Sequence, residues 1–287
     1  ELALKDCGAP AFHNGVDFIA VTRMGTGRYQ NPAGALRERR KLPKARTLVS
    51  EFGGHTAQLL LANIAEVIRR GECEAAIIAG GELGGKLRMG ESAPVTDGAA
   101  SEPDAVIGEE ITQWITHPAE AALGIHLPVQ VYPLLETAMA WRHGRSISDH
   151  MQHVAALWAR FSEAACANPN ANDRALHSAA EIGTQSASNR FIGYPYTKLM
   201  NSDPFVDQAA AILMCSAGRA EALGIPRDRW IFPWAAAEAR SGFVVERRDL
   251  SAAPALRRAA GALTNVTGVA PADMDLLDLY ACFPFAV

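Results

Sequence analysis

The sequence holds little that would tie it to a membrane, a metal or a nucleic acid. No apolar run approaches the about 20 residues that a bilayer-spanning helix needs. No basic, apolar and small-residue succession of a secretory signal opens the chain. Five cysteines, Cys7, Cys73, Cys166, Cys215 and Cys282, are scattered with no Cys-x-x-Cys pair, so zinc spacing is absent and no metal is expected. Their odd number reads as reduced thiols of a cytoplasmic protein. Net charge is −4, and the densest basic stretch, Arg37-Glu38-Arg39-Arg40-Lys41, reads as a solvated face, so no nucleic-acid partner is indicated. An initiator Met is also lacking. The chain starts inside a helical pattern, Leu2-Ala3-Leu4-Lys5, stops at Phe285-Ala286-Val287, and is expected to be truncated at both ends.

What is present is an α/β alternation in a chain that is 49% hydrophobic and 20% charged, an ordinary globular composition. Val16-Asp17-Phe18-Ile19-Ala20-Val21 and Thr47-Leu48-Val49 read as short strands. Phe52-Gly53-Gly54-His55 opens a helix with Leu60, Ile64, Val67 and Ile68 at helical spacing, closed by Gly71. Ala75-Ala76-Ile77-Ile78-Ala79 is continuously apolar, as in a strand covered on both faces, and Gly80-Gly81 is expected to break it. From about residue 84 the pattern turns helix-rich, with Met151 and Trp158 at core spacing on a helix over 151–167. A strand returns at 209–214 and a helix at 217–223. A strand near 230–237, a helix at 253–266 and a strand at 274–280 follow. The likeness of 16–19 to 274–277, each an Asp inside an apolar strand start, hints at two related halves.

Three segments share a further pattern. The stretch 53–82 runs from a glycine loop through a helix into a strand ending Ala79-Gly80-Gly81-Glu82. Tyr194-Pro195-Tyr196-Thr197-Lys198-Leu199-Met200-Asn201 leads on to Val206-Asp207-Gln208-Ala209-Ala210-Ala211. Asp278-Leu279-Tyr280-Ala281-Cys282-Phe283 closes the set. Together, in this order and spacing, they resemble the thiolase superfamily. The first matches its nucleophile loop, buried helix and Ala-Gly-Gly-x-Glu strand. The second matches the return of its loop domain to the sheet. The third matches its Asn-Glu-Ala-Phe or His-Asp-Cys-Phe motif. The Cys-Phe ending is most similar to the sterol-carrier-type branch and thiolase-like acetyl-CoA acetyltransferases.

The resemblance covers nearly the whole chain and implies a thiolase-like α/β/α/β/α layered fold of two related halves with an inserted helix-rich loop domain. Residues 1–115 and 202–225 would form the N-terminal half, 116–201 the loop domain, and 226–287 an incomplete C-terminal half. It implies acyl-CoA as substrate, no tightly bound cofactor, and a homodimer or larger assembly with room for a small partner subunit. The chemistry is carbon–carbon bond formation or cleavage beside a CoA thioester, in which a thiolate attacks the thioester, a second group moves protons and an oxyanion hole holds the developing charge.

Residue by residue, this chain departs from that pattern. The nucleophile position falls on Gly54 or His55, and neither is Cys. Gly53 and Gly54 either form a tight turn or present backbone N–H groups to an oxyanion. His55 is either a plain loop residue or a proton carrier. Cys73, at the far end of the helix, reads as a packing residue. Cys282 matches the family's Cys and is the expected proton-transfer thiol, or a small core residue. Tyr280 holds the Asn/His position and is either an aromatic wedge or a hydrogen-bond donor and acid; Phe283 is grouped with the oxyanion loop. Ala281 replaces the acidic residue. The family's Gly-His-Pro segment is missing; Thr116-His117-Pro118 is not its counterpart. Arg190, Tyr196 and Lys198 are expected to contact CoA, or to be surface residues beside a packed turn. His126 and Tyr132 are expected at an acyl pocket or in the core. The function expected is a thiolase-like acyl-CoA C-acyltransferase. The alternatives are a retro-aldolase on β-hydroxyacyl-CoA with Tyr280 as acid or base, and a non-catalytic CoA-thioester-binding subunit.

Overall fold

The structure, a computed structural model, describes residues 1–26, 29–85, 102–108 and 116–287. In chain order the elements are α1 (Leu2–Cys7), β1 (Phe18–Val21), α2 (Pro32–Arg39), β2 (Arg46–Ser50), α3 (Thr56–Arg69), β3 (Ala75–Leu83), β4 (Ala105–Ile107) and α4 (Pro118–Ala122). Then come α5 (Pro128–Arg142), α6 (Ile147–Ala167), α7 (Ala179–Gly183), β5 (Phe191–Gly193), β6 (Tyr196–Thr197), β7 (Asp207–Cys215), α8 (Ala217–Ala222) and α9 (Pro254–Thr267). They form two compact units, Glu1–Gln113 with Pro204–Ala236, and Trp114–Asp203 with Ala237–Val287. The domain boundary expected at 115–116 borders residues 109–115, which lie outside the described set.

The first unit is built on a five-stranded sheet of order β4-β2-β1-β3-β7, in which β7 alone runs antiparallel to its neighbour. The continuous apolar strands follow from burial on both faces. Ile19, Val21, Val49, Ala75 and Ile77 point into one core cluster with Phe12 and Ala33. Phe18, Ala20, Leu48, Ala76 and Ile78 point into the other, where Leu60 and Ile64 of α3 cover them. Gly71, at φ 72°, ends the α3 region in the left-handed conformation that glycine adopts without cost.

β3 does not stop at Gly80-Gly81, as the sequence reading expects. It continues to Leu83, paired residue for residue with β7. The two glycines serve close approach instead of a break. A Cβ on Gly80 would lie 2.5 Å from Thr22 Oγ1, and one on Gly81 would lie 3.1 Å from the Gln208 carbonyl oxygen. Just past the strand, a Cβ on Gly84 would lie 2.4 Å from the Pro204 carbonyl oxygen and 2.9 Å from Phe205 Cα. No rotamer relieves a backbone clash. Gly84→Ala is therefore expected to lower stability by about 1–3 kcal/mol, read as a fall in urea midpoint at unchanged slope.

The second unit packs α5, α6 and α7 with the β5–β6 hairpin around Met151, Val154, Ile182, Tyr196, Met200 and Phe283. Tyr194-Pro195 is a cis peptide at the hairpin turn. Arg142 of α5 pairs with Asp249 at 2.8 Å, and Glu120 of α4 accepts from Val245 N at 2.9 Å, so parts of 237–287 are bonded into this unit.

Two strands expected in the C-terminal segment are not formed. Residues 230–237 and 274–280 enter no sheet among the described residues. An extended apolar segment becomes a strand only by exchanging backbone hydrogen bonds with a neighbour, and these segments have none. Their apolar side chains stand in the open, with Ile231 93% and Leu276 91% exposed. The counterpart of Asp17 at 275 therefore sits outside any strand, and 226–287 contributes α9 and short 3-10 turns. Among the described residues, no helix is long and apolar enough to cross a membrane.

Candidate functional site

The sequence-predicted residues fall in both units. In the first, β2 ends at Ser50 and feeds 51–55 into α3. Gly53 accepts from Thr56 Oγ1 at 2.7 Å, which closes the turn, and His55 is the N-terminal cap residue of α3. Gly54 and His55 are exposed at the positive end of the helix dipole. The thiol that a thiolase would place here is absent, and Cys73 does not replace it. Cys73 is buried at the other end of α3, where its Sγ donates to Asp17 Oδ1 at 2.9 Å. Burial first, then the Asp17 carboxylate, push this thiol up to about 12.

Cys73 is therefore expected not to react in the native protein at pH 8. The expected result is little iodoacetamide labelling until the chain is unfolded, read by peptide mass spectrometry. Because the folded value is raised, the stabilising contribution is whole below the ordinary thiol range and is lost as pH climbs toward about 12.

The Ala79-Gly80-Gly81-Glu82 signature also gains a physical role. Glu82 accepts from Gly25 N at 2.7 Å and from Thr26 N at 2.9 Å, and Thr26 Oγ1 in turn accepts from Leu83 N at 2.9 Å. The carboxylate thus holds the loop after β1 against the end of β3.

In the second unit, Tyr280 and Cys282 come together. The Cys282 thiol donates to the Tyr280 phenolic oxygen at 3.0 Å, and the Cys282 carbonyl accepts from Ser202 N at 3.1 Å. The bond with Cys282, then partial burial, push the Tyr280 phenol up to about 12. The phenol is largely exposed and the thiol half-buried, so a reactant can reach the pair.

Phe283, grouped with the oxyanion loop from sequence, is a core residue. It is 3% exposed, stacks on Tyr132 at 4.3 Å between ring centroids and faces Tyr196 at 6.0 Å. Tyr132 is a core partner of that ring, and burial pushes its phenol up.

The CoA candidates divide. Arg190 and Lys198 are exposed and adjacent, with Lys198 N donating to the Arg190 carbonyl at 2.9 Å. Tyr196 is fully buried, and its hydroxyl donates to Glu136, so the expectation that it touches CoA is corrected. Beside the hairpin runs a groove whose lining includes Ile147, Ser148, Gln152, Phe191, Tyr194 and Pro195.

The sequence reading missed Glu136 and His150. Both are buried, and His150 Nε2 lies 2.5 Å from Glu136 Oε1. The available signal was a lone acid in the apolar helix stretch Pro133-Leu134-Leu135-Glu136-Thr137-Ala138-Met139.

No family model matches the chain, and no curated protein does. Solved structures do. A monomeric SCP2-thiolase like protein type 1 (STLP1) from Mycobacterium smegmatis is 29% identical, with a TM-score of 0.78 over 99% of this chain and 55% of that one. The chain has a thiolase-like fold. It spans about half the length of that relative. An Ltp2–ChsH2(DUF35) aldolase matches at a TM-score of 0.68 and 17% identity, over 99% of this chain and 67% of that one, a likeness of fold alone. The α/β class and the resemblance drawn from the three segments therefore stand. The chain has a glycine turn before α3 without a thiol, and it carries a thiol–phenol pair at Tyr280 and Cys282.

Proposed function

We propose that the protein acts on CoA thioesters, breaking or making the carbon–carbon bond beside the thioester carbonyl by proton transfer at Tyr280 and Cys282 and without a nucleophile at the start of α3. The observation that carries this reading is the 3.0 Å bond between the Cys282 thiol and the Tyr280 phenol, set against Gly53-Gly54-His55 where a thiolase places its cysteine. It favours the retro-aldol form of the reaction.

Loss of the Cys282 proton to solvent leaves the thiolate, which takes the proton of the substrate β-hydroxyl. The Cα–Cβ bond breaks, its electron pair passes into the thioester enolate, and a carbonyl compound leaves. Tyr280 delivers its proton to Cα of the enolate, giving the shortened acyl-CoA. The proton on Cys282 then crosses to the Tyr280 phenolate along their shared hydrogen bond, which restores both groups. A phenol held up to about 12 stays loaded with its proton through the working range. Arg190 and Lys198 are the proposed partners of the CoA phosphates, with the groove beside the hairpin for the apolar part of the substrate. Gly53, Gly54 and His55 remain proposed oxyanion elements on the resemblance alone.

The acyltransferase reading is the second one, favoured by the partial exposure of Cys282. The test is a product assay with a β-hydroxyacyl-CoA and, separately, acetoacetyl-CoA plus free CoA. Cleavage of the hydroxyacyl substrate to a carbonyl compound and a shorter acyl-CoA is expected. Thiolysis of acetoacetyl-CoA alone would move the assignment to an acyltransferase, and CoA-thioester binding without any turnover would move it to a binding subunit.

A further inference from the structure

Inside the apolar core of the second unit sits a polar set drawn from α5, α6 and β6. Glu136, His150 and Tyr196 are 3%, 4% and 0% exposed. The Tyr196 hydroxyl donates to Glu136 Oε2, and His150 Nε2 lies 2.5 Å from Glu136 Oε1. Both carboxylate oxygens are thereby engaged. His150 Nδ1 is buried with no hydrogen-bond partner, and the His143 ring stacks 6.5 Å away.

Burying a carboxylate costs several kcal/mol even when it is bonded, and apolar side chains of the same volume commonly fold as well or better. Stability is therefore a poor account of this set. What it does supply is a fixed position for one ring. The carboxylate pins the Tyr196 hydroxyl, the Tyr196 ring faces Phe283 at 6.0 Å, and Tyr132 stacks on Phe283 at 4.3 Å. Phe283 is covalently next to Cys282, whose thiol meets the Tyr280 phenol at 3.0 Å. A short chain of contacts thus runs from a buried carboxylate to the thiol–phenol pair.

We propose that Glu136, His150 and Tyr196 are positioning residues that hold Phe283 and, through it, set the geometry of the Cys282 thiol against the Tyr280 phenol. Its meaning for catalysis rests on the proposed role of that pair, while the geometry itself is read on the thiol. The device predicts that the pair's chemistry and the unit's stability respond separately to changes in the core.

The test uses the whole chain and reads the alkylation rate of Cys282 by iodoacetamide, with Cys7 and Cys166 of the same molecule as internal references. A second readout is the thermal midpoint. The variants are Tyr196→Phe, Glu136→Gln, and the all-apolar combination Glu136→Leu, His150→Leu and Tyr196→Phe. The combination is expected to fold with a midpoint near that of the unaltered protein while its Cys282 rate moves by about fivefold or more, the scale of coupling between contacting groups. Glu136→Gln keeps an acceptor for the Tyr196 hydroxyl and is expected to return the rate toward its original value. A folded combination whose Cys282 reacts at the unaltered rate overturns the proposal. Should the combination fail to fold, Tyr196→Phe carries the test alone: it removes one hydroxyl, and an unchanged Cys282 rate is equally decisive against the proposal. The functional reading fails by a different result, full turnover of CoA thioesters by Cys282→Ser, which leaves the alkylation comparison intact.

Discussion

Tyr280→Phe lowers the cleavage of a β-hydroxyacyl-CoA by about two to four orders of magnitude, the usual worth of a positioned general acid. The fold should survive, because the side chain is 69% exposed and the bond lost with the hydroxyl is the one to Cys282. Substrate binding should survive as well, so the loss falls on kcat and not on KM. The pH profile carries the same assignment. The hydrogen bond with Cys282, then burial, hold the phenol up to about 12, and the proton-bearing form is the active one. Activity that depends on it is whole below the ordinary phenol range of about 10 and falls only as pH rises through about 12. A profile measured at short times up to pH 10.5 should therefore show no decline from this group. A decline centred near neutrality with the fold intact would transfer the acid's role elsewhere.

Phe283→Ala destabilises the protein by about 3–5 kcal/mol, the cost of deleting a buried aromatic ring and leaving its cavity. The ring is 3% exposed, stacked on Tyr132 and facing Tyr196, so two further rings lose a packing partner. Phe283→Leu fills most of the volume and should cost well under half as much. Urea unfolding followed by tryptophan fluorescence reads both, and Trp158, packed in the same cluster, reports on this unit. Near-equal midpoints for Phe283→Ala and the unaltered chain would mean that the end of the chain is not anchored by this ring.

Periodicity made the first unit legible. β1, β2 and β3 are parallel strands covered on both faces, and α3 is a long helix with a clear apolar stripe. Such elements state themselves in a few residues. Gly80-Gly81 misled because glycine marks both a break and a close approach, and only the position of Thr22 and β7 distinguishes them. The segments 230–237 and 274–280 misled because an apolar run records a preference for burial, while a strand also needs a partner that the run does not contain. Tyr196 was misread because a packed turn at Tyr194-Pro195-Tyr196 does not show which of its two rings is buried. Tyr194 is indeed exposed, but two residues on the hairpin turns its side chain into the core. The Glu136–His150–Tyr196 set lay beyond reading, since its members are 14 and 60 residues apart and meet only through the packing of α5, α6 and β6. At the candidate site, Tyr280 and Cys282 were visible as a motif, but their mutual bond was not.

The claim at the centre of this account is that Tyr280 and Cys282 exchange protons and that no acyl-enzyme forms. Intact-protein mass spectrometry after brief incubation with acetoacetyl-CoA or a β-hydroxyacyl-CoA tests it most directly. The expected result is an unchanged protein mass while the hydroxyacyl-CoA is consumed. An acyl adduct that peptide mapping places on Cys282 would contradict the account and establish covalent thiolase chemistry at that thiol.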